Sequence, residues 1–559
     1  MMAYRDKVKK EDYTKSWKRY DTGRRWNNSL QNRYYDTITT NWEFYNGNQW
    51  VNATGLSSDL PQPVFNILKR SLLFFVSMMT SSSITGEYKT QLMRDDDYQD
   101  LDNMTAIVAS ADFKNYLERI KIDMLARDLL VDAGVTGDMA YHMYFDRNAK
   151  PYGLNSIVEG QNEIETIDGV NLYMSNPNSR DVQKQQYIGI YGRDTVDNIK
   201  QEIKFHQKLK SLDELVISPD SETEDQESID GKQELDSDEF GKVGYVLEYY
   251  KKRNKKGIIT VHATKSLVDR VIFEDVDTGL YLYPIGFNNW EHQKNQCHGR
   301  GLVTDIVPNQ IFVNRMFAMA MYHLQQTAFP KAVYDRNMIS GWSNAIGSAI
   351  AINRQPGESI FNMAGYLQPA TMSPQITQLI EMTIKYTKEM IGANDALLGD
   401  INPEQASGAA ISVTARQSGV PLEGPKSNLY EMIEDMMHIY ADMAGTYYGS
   451  RPIVADMPEI GKQVVEFDFA KLKDMQFNVN VDVGATTYYS QIAQQATLDN
   501  LLANGMIEFA DYLERVPEGF VPEKQGLITK IKEKAELMAQ QAQMQMPVQP
   551  DMGMQAPPM

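Results

Sequence analysis

The sequence has a single cysteine, Cys297, among 559 residues. That excludes a disulfide-stapled scaffold. It fits a reducing compartment, and equally a protein that needs no disulfide. No apolar run is long enough to span a bilayer. The greasiest stretch near the front, Leu72–Met79 behind Lys69-Arg70, is far shorter than the ~20 residues required, so no membrane partner is expected. Residues 1–25 hold nine Lys or Arg with no apolar run behind them, so no secretory leader is expected. Positive charge is in deficit: 55 Lys and Arg against 74 Asp and Glu give 55 − 74 = −19. Such acidity argues against a nucleic-acid coat, whose affinity comes from phosphate neutralisation. It leaves room for a protein past which DNA slides without sticking.

The usual signatures of catalysis are missing too. Gly461-Lys462 is followed by Gln463 with no glycine loop before it, so no phosphate cradle is visible. Of His142, His206, His262, His292, His298, His323 and His438, none forms a zincin pair. His292, Cys297 and His298 are the one metal-like group; their spacing fits no strong zinc pattern and reads as a polar turn. There is no nucleophile elbow, and Glu434-Asp435 falls on a helix surface. No enzyme, cofactor or metal is expected. Asp220–Glu239 holds ten acidic residues and one Lys without calcium-loop spacing, and is expected as a solvated loop.

What is present is enough to fold. Apolar residues are 42% and aromatics 10% of the chain, which excludes disorder throughout. At ~150 residues per domain, three or four domains are expected. Residues 1–29 read as a peripheral basic arm carrying Trp17, Arg24, Arg25 and Trp26, which could reach a neighbour; a solubilising tail is the plainer reading. The stretch Phe44–Trp50 ends an aromatic helix on an Asn-Gly turn. Asn66 leads into an apolar helix to about Met79, and one long helix is expected over Asp112–Val131, ended by Gly134 and Gly137. Strands are expected at Tyr141–Tyr144, Tyr187–Tyr191, Val243–Tyr250, Ile258–Ala263 and Val268–Phe273. After Gly299-Arg300-Gly301 a helix starts near Asp305–Pro308 and runs to about Thr327, apolar on more than one stripe. Residues 331–370 are strand-like. A second helix follows, with Ser373 as N-cap and Pro374 at N1, running to Ile391; its eighteen residues from Pro374 measure about 27 Å. The two helices bracket one small insertion and are expected side by side. A glycine- and proline-containing stretch over 393–407 leads to a helix that restarts at Ser407, is interrupted at Gly419–Pro425, and carries Leu429, Ile433, Met436, Met437 and Tyr440 on one side. Strands at Val464–Phe469 and Phe477–Val483, helices at Gln494–Leu513 and Leu527–Gln540, and a Gln/Met/Pro tail complete the chain.

This order of elements resembles the portal proteins of tailed bacteriophages. Phe44-Tyr45-Asn46-Gly47-Asn48-Gln49-Trp50 followed by Phe65-Asn66 is similar to an aromatic stretch of that family, and Gly392–Leu398, Ser407–Ile411 and Arg416 to its loop and kinked helix. The resemblance implies an α+β, multidomain portal-type subunit: basic arm 1–29, wing 30–304, first stem helix 305–327, small α/β clip 328–372, second stem helix 373–391, tunnel loop 392–407, long kinked helix and returning wing strands 408–487, helical crown 488–540 and tail 541–559. It implies a homododecameric ring at one capsid vertex of the virion, assembled in the host cytoplasm. Its partners would be double-stranded DNA in the channel, terminase, capsid and scaffolding proteins, and head–tail adaptor proteins. Glu381, Lys385 and Lys388 would face the DNA with mixed sign. Asp395, Leu397, Leu398, Asp400 and Glu404 would form the tunnel loop. Trp342, Phe361 and Tyr366 would anchor partners at the clip, or fill its own core. Three other classes compete: another virion or assembly protein, which should lack the paired helices; an acidic cytoplasmic enzyme, which should be a 63.6 kDa monomer with one deep polar pocket; and a non-viral ring or channel protein, where the lack of a membrane-length apolar segment counts against a bilayer pore.

Overall fold

In the computed structural model the described residues are 8–30, 34–50, 61–80, 84–90, 96–153, 156, 158–209, 215–217, 219, 241–253, 257–328, 332–339, 341, 343, 352–353, 359, 364–366, 375–390, 422–457, 461–474, 477–482, 498–504, 506–507, 509–516 and 527. The acidic run, Ser373-Pro374 and most of the insertion between the paired helices lie outside them.

Three helices open the chain: α1 (Lys15–Ser29), α2 (Tyr34–Asn46) and α3 (Ile67–Met79). Gly47, at φ +96°, ends α2 as the Asn-Gly signal predicts. Asn66 caps α3, its side-chain oxygen accepting from the Lys69 amide at 3.1 Å. Strand β1 (Thr85–Thr90) precedes α4 (Asp96–Ile120) and α5 (Ile122–Thr136). The single helix expected over Asp112–Val131 is thus two helices. Lys121 sits between them in the left-handed region at φ 53°, a break that no glycine or proline signals. Gly134 lies inside α5, and Gly137 alone caps it.

The β-rich middle begins with β2 (Asp138–Asp146), β3 (Gln161–Ile167), β4 (Leu172–Met174) and β5 (Tyr187–Thr195). After α6 (Val196–Gln207) come β6 (Lys242–Arg253), β7 (Ile259–Ser266), β8 (Val271–Asp277) and β9 (Ile285–Asn289). They make two antiparallel sheets, β3-β2-β9 and β4-β5-β6-β7-β8. The chain then forms α7 (Leu302–Ala328), the paired β10 (Ala332–Tyr334) and β11 (Ala364–Tyr366), α8 (Gln375–Met390) and α9 (Glu423–Tyr447). A β12–β13 hairpin (Ser450–Met457, Gly461–Asp468) and β14 (Phe477–Asp482) follow, β14 returning to pair with β1. Residues 498–503 and α10 (Phe509–Arg515) are separate helical pieces, where one helix was expected over Gln494–Leu513.

The architecture is α+β. The main core lies between α3, α4, α5 and α9 and the β3-β2-β9 sheet, with Leu72, Phe75, Phe113, Leu130, Tyr141 and Met436 among its members. The predicted stripe of α9, Leu429, Ile433, Met436, Met437 and Tyr440, is buried there.

The basic arm is corrected. Helix α1 docks on the five-stranded sheet, with Trp17 and Tyr20 buried against Tyr173, Tyr191, Val246 and Val268. Tyr20 stacks on Tyr191 at 5.0 Å, and Arg19 pairs with buried Glu248 at 2.6 Å. Trp17 therefore does not reach a neighbour. Arg25 is exposed and pairs with Asp21 of its own helix, and Arg24 lies over the Tyr20 ring.

Candidate functional site

Helix α7 begins at Leu302, three residues before the expected start, and takes Pro308 inside it. Its entry is set by backbone contact between glycines. A Cβ on Gly299 would stand 2.4 Å from the Gly137 oxygen, and one on Gly301 2.8 Å from the Gly134 oxygen. The Gly299-Arg300-Gly301 turn can therefore lie flat on the end of α5. Asn41 of α2 ties both together, donating to the Val135 oxygen at 2.7 Å and to Thr304 at 2.8 Å.

Asp138, the first residue of β2, is the buried hub of this junction. It accepts from Tyr34 (2.6 Å), Asn289 (2.8 Å), His298 (2.7 Å) and the Gly299 amide (2.8 Å). The other ring nitrogen of His298 meets the Asn27 side-chain oxygen at 3.0 Å. Both imidazole nitrogens thus face acceptors, the arrangement of an imidazolium. Burial works against that charge, but the adjacent Cys297 and Asp138 more than offset it and raise the pKa from 6.5 to about 10. His298 and Asp138 are therefore a structural ion pair. Among the described residues no group of three or more His, Cys, Asp or Glu could hold a metal ion.

Beyond this junction α7 leaves the core. From Met319 to Ala328 no residue of α7 is buried. Met319 and Tyr322 are exposed on one side, and Met321 and Leu324 on another, about 160° around the helix at 100° per residue. Helix α8 packs alongside α7, as expected. Its positions fall on three faces spaced roughly 120° apart. Ile380 and Thr387 are buried. Leu379, Met382, Tyr386 and Met390 form a continuous exposed apolar stripe. Glu381, Lys385 and Lys388 share the third face, Glu381 and Lys385 exposed and Lys388 half-buried. Lys385 also reaches Glu389 at 3.8 Å, a pair exposed enough to contribute only about 0.3–0.5 kcal/mol.

The structure places Glu381, Lys385 and Lys388 on one face of α8. It places Tyr366 at the end of β11, where it pairs in register with Ala332. Trp342, Phe361, Asp395, Leu397, Leu398, Asp400 and Glu404 lie outside the described residues. The sequence reading missed Asp138 and His298 as partners, because 160 positions separate them. It also missed the burial of Gln310 and Asn314 in α7, for which a polar pair four apart inside an apolar helix was the available signal.

A cavity of about 690 Å³ opens between α1 and the five-stranded sheet. Among the charges on its wall, Arg19 pairs with Glu248 and Lys252 with Asp275.

Residues 281–557 match the family model described as phage P22-like portal protein. No curated protein matches the chain.

Proposed function

Over residues 281–557 the chain belongs to the phage P22-like portal protein family, and on that premise we propose that it is one subunit of a closed twelve-membered ring at a capsid vertex. Portal proteins are structural and non-catalytic, and serve as the channel through which the genome is packaged. The observation that carries the ring reading is the pair α7 and α8, which leave the core together with apolar residues still facing outward. A closed ring is heterologous, so each subunit offers two different faces to its two neighbours. The opposed apolar sides of α7 and the stripe of α8 supply such faces.

In this reading α7 and α8 are the stem helices expected over 305–327 and 373–391. Residues 30–304 and 408–487 are the wing, with α1 docked on it, and 328–372 the clip. Residues 392–407 are the tunnel loop, 488–540 the crown and 541–559 a tail. Glu381, Lys385 and Lys388 face the passage. Their signs are mixed, so passing DNA meets a weak field, since each phosphate neutralised would add affinity and hold it back. Trp342, Phe361 and Tyr366 serve the terminase during packaging and head–tail adaptors afterwards, because aromatics make strong interface anchors. Capsid and scaffolding proteins meet the wing.

The tunnel loop is the narrowing element. Asp395, Asp400 and Glu404 repel phosphates, while Leu397 and Leu398 add bulk; Gly392, Gly399 and Pro403 mark it as the segment that changes conformation. Deleting 396–404 and measuring packaged DNA tests this. Packaging or retention of the genome should fall sharply, and unchanged values for both would remove the loop from the mechanism.

A further inference from the structure

The Phe44–Trp50 stretch and Phe65-Asn66 converge on the buried side of α7 through side-chain amides. Gln310 donates to the Phe65 oxygen at 2.7 Å and to the Asn314 side-chain oxygen at 2.9 Å, and accepts from the Ile67 amide at 3.1 Å. Asn314 donates to Gln49 at 2.6 Å, and Gln49 donates to the Phe44 oxygen at 2.9 Å. Asn66 fixes the receiving segment, donating to the Tyr45 oxygen at 2.9 Å while capping α3. The Phe65 ring packs on Phe317 at 4.3 Å. Gln49, Gln310 and Asn314 are all buried.

We infer that this amide relay sets the rotational phase of α7 about its own axis, and with it which sides of the outer half meet the neighbouring copies. The inference rests on α7 being a channel helix. In the outer half apolar packing alone discriminates poorly between phases, because the apolar residues there lie on opposite sides and a turned helix would offer one set in place of the other; in the inner half Val303, Ile306 and Val313 share the buried face with the relay. Hydrogen bonds discriminate sharply. A turn of one residue swings Gln310 about 100° away from Phe65 and Ile67 and leaves buried amides without partners. Gln310, Asn314 and Gln49 are therefore positioning residues. They explain why a glutamine and an asparagine stand among the aromatics of the front segments.

The test places single reporter cysteines on α7 of the full chain, at exposed Arg315 (Arg315→Cys) and at fully buried Ala318 (Ala318→Cys). The native Cys297 is buried and supplies the baseline. In the parent, a thiol reagent labels position 315 and spares 318. Gln310→Met keeps the volume and removes the bonds; position 318 should then label roughly tenfold faster or more relative to 315. Gln49→Met leaves the Gln310 backbone bonds in place and should shift the ratio the same way by less, which keeps the test available if the first variant does not fold. Ile199→Ala, in the separate α6 cluster, provides a control of matched thermal stability and should leave the ratio alone. The inference is overturned if position 318 stays protected in a folded relay variant, or if Ile199→Ala raises its labelling equally. Native mass recorded on the parent keeps the two claims apart: a single chain with the expected labelling contradicts the ring alone, and a ring with unchanged labelling contradicts the relay alone.

Discussion

Met382→Glu combined with Tyr386→Glu gives a folded chain that no longer assembles. Both side chains lie about half exposed on the apolar stripe of α8, so the isolated subunit loses little; surface changes of this kind stay within about ±0.5 kcal/mol. In a ring the same positions face a neighbour. Burying carboxylates there without partners costs several kcal/mol, and the cost recurs at every junction. Native mass should fall to 63.6 kDa with the melting temperature almost unchanged. Glu381→Gln with Lys385→Gln, on the charged face of the same helix, should leave the ring intact. A stripe variant that still assembles would mean that α8 does not touch the next subunit.

Asp138→Ala should lose about 3–5 kcal/mol of unfolding free energy, the usual consequence of removing one partner of a buried ion pair. It strips acceptors from His298, Tyr34, Asn289 and Gly299 at once, loosening the junction of α2, β2, β9 and the entry to α7. The pH dependence has a definite sign. The His298 pKa rises from 6.5 to about 10 on folding, so its contribution is complete below pH 6.5 and disappears as pH rises through about 10. Asp132, whose burial raises its pKa to about 7, also loses stability with rising pH, but that loss is over by about pH 7. Between pH 7.5 and 9.5 the parent should therefore lose up to about 1.4 kcal/mol per pH unit. Urea unfolding of Asp138→Ala over the same range should show a much flatter slope. Equal slopes in the two proteins would mean that Asp138 is not what holds the charge on His298.

Local signals were legible in the sequence wherever one residue governs one feature. Asn66 caps α3, Gly47 and Gly137 end their helices, and the apolar stripe of α9 is buried as its spacing predicts. The paired helices were legible because both have clear boundaries and a turn-rich insertion between them. What escaped depends on distant partners. Strand β1 pairs with β14 across most of the chain, and nothing local in Thr85–Thr90 announces it. Helix α1 reads as a solvated arm because its composition is polar; only Trp17 and Tyr20, three apart, mark the face that the sheet covers. Lys121 breaks a helix through a backbone conformation that lysine rarely adopts, so its residue type carries no warning. For the candidate site, Glu381, Lys385 and Lys388 share a face because helical spacing requires it, whereas Asp138 with His298 and Gln310 with Gln49 meet only through the fold.

The decisive measurement is the native mass of the purified full-length chain, taken together with images of the same particles. Twelve chains of 63.6 kDa give 12 × 63.6 ≈ 763 kDa, and the particle should be an annulus with an open centre; a closed ring of neighbouring copy number agrees equally. A solid 63.6 kDa particle, with the outer half of α7 left bare in solution, would contradict the account.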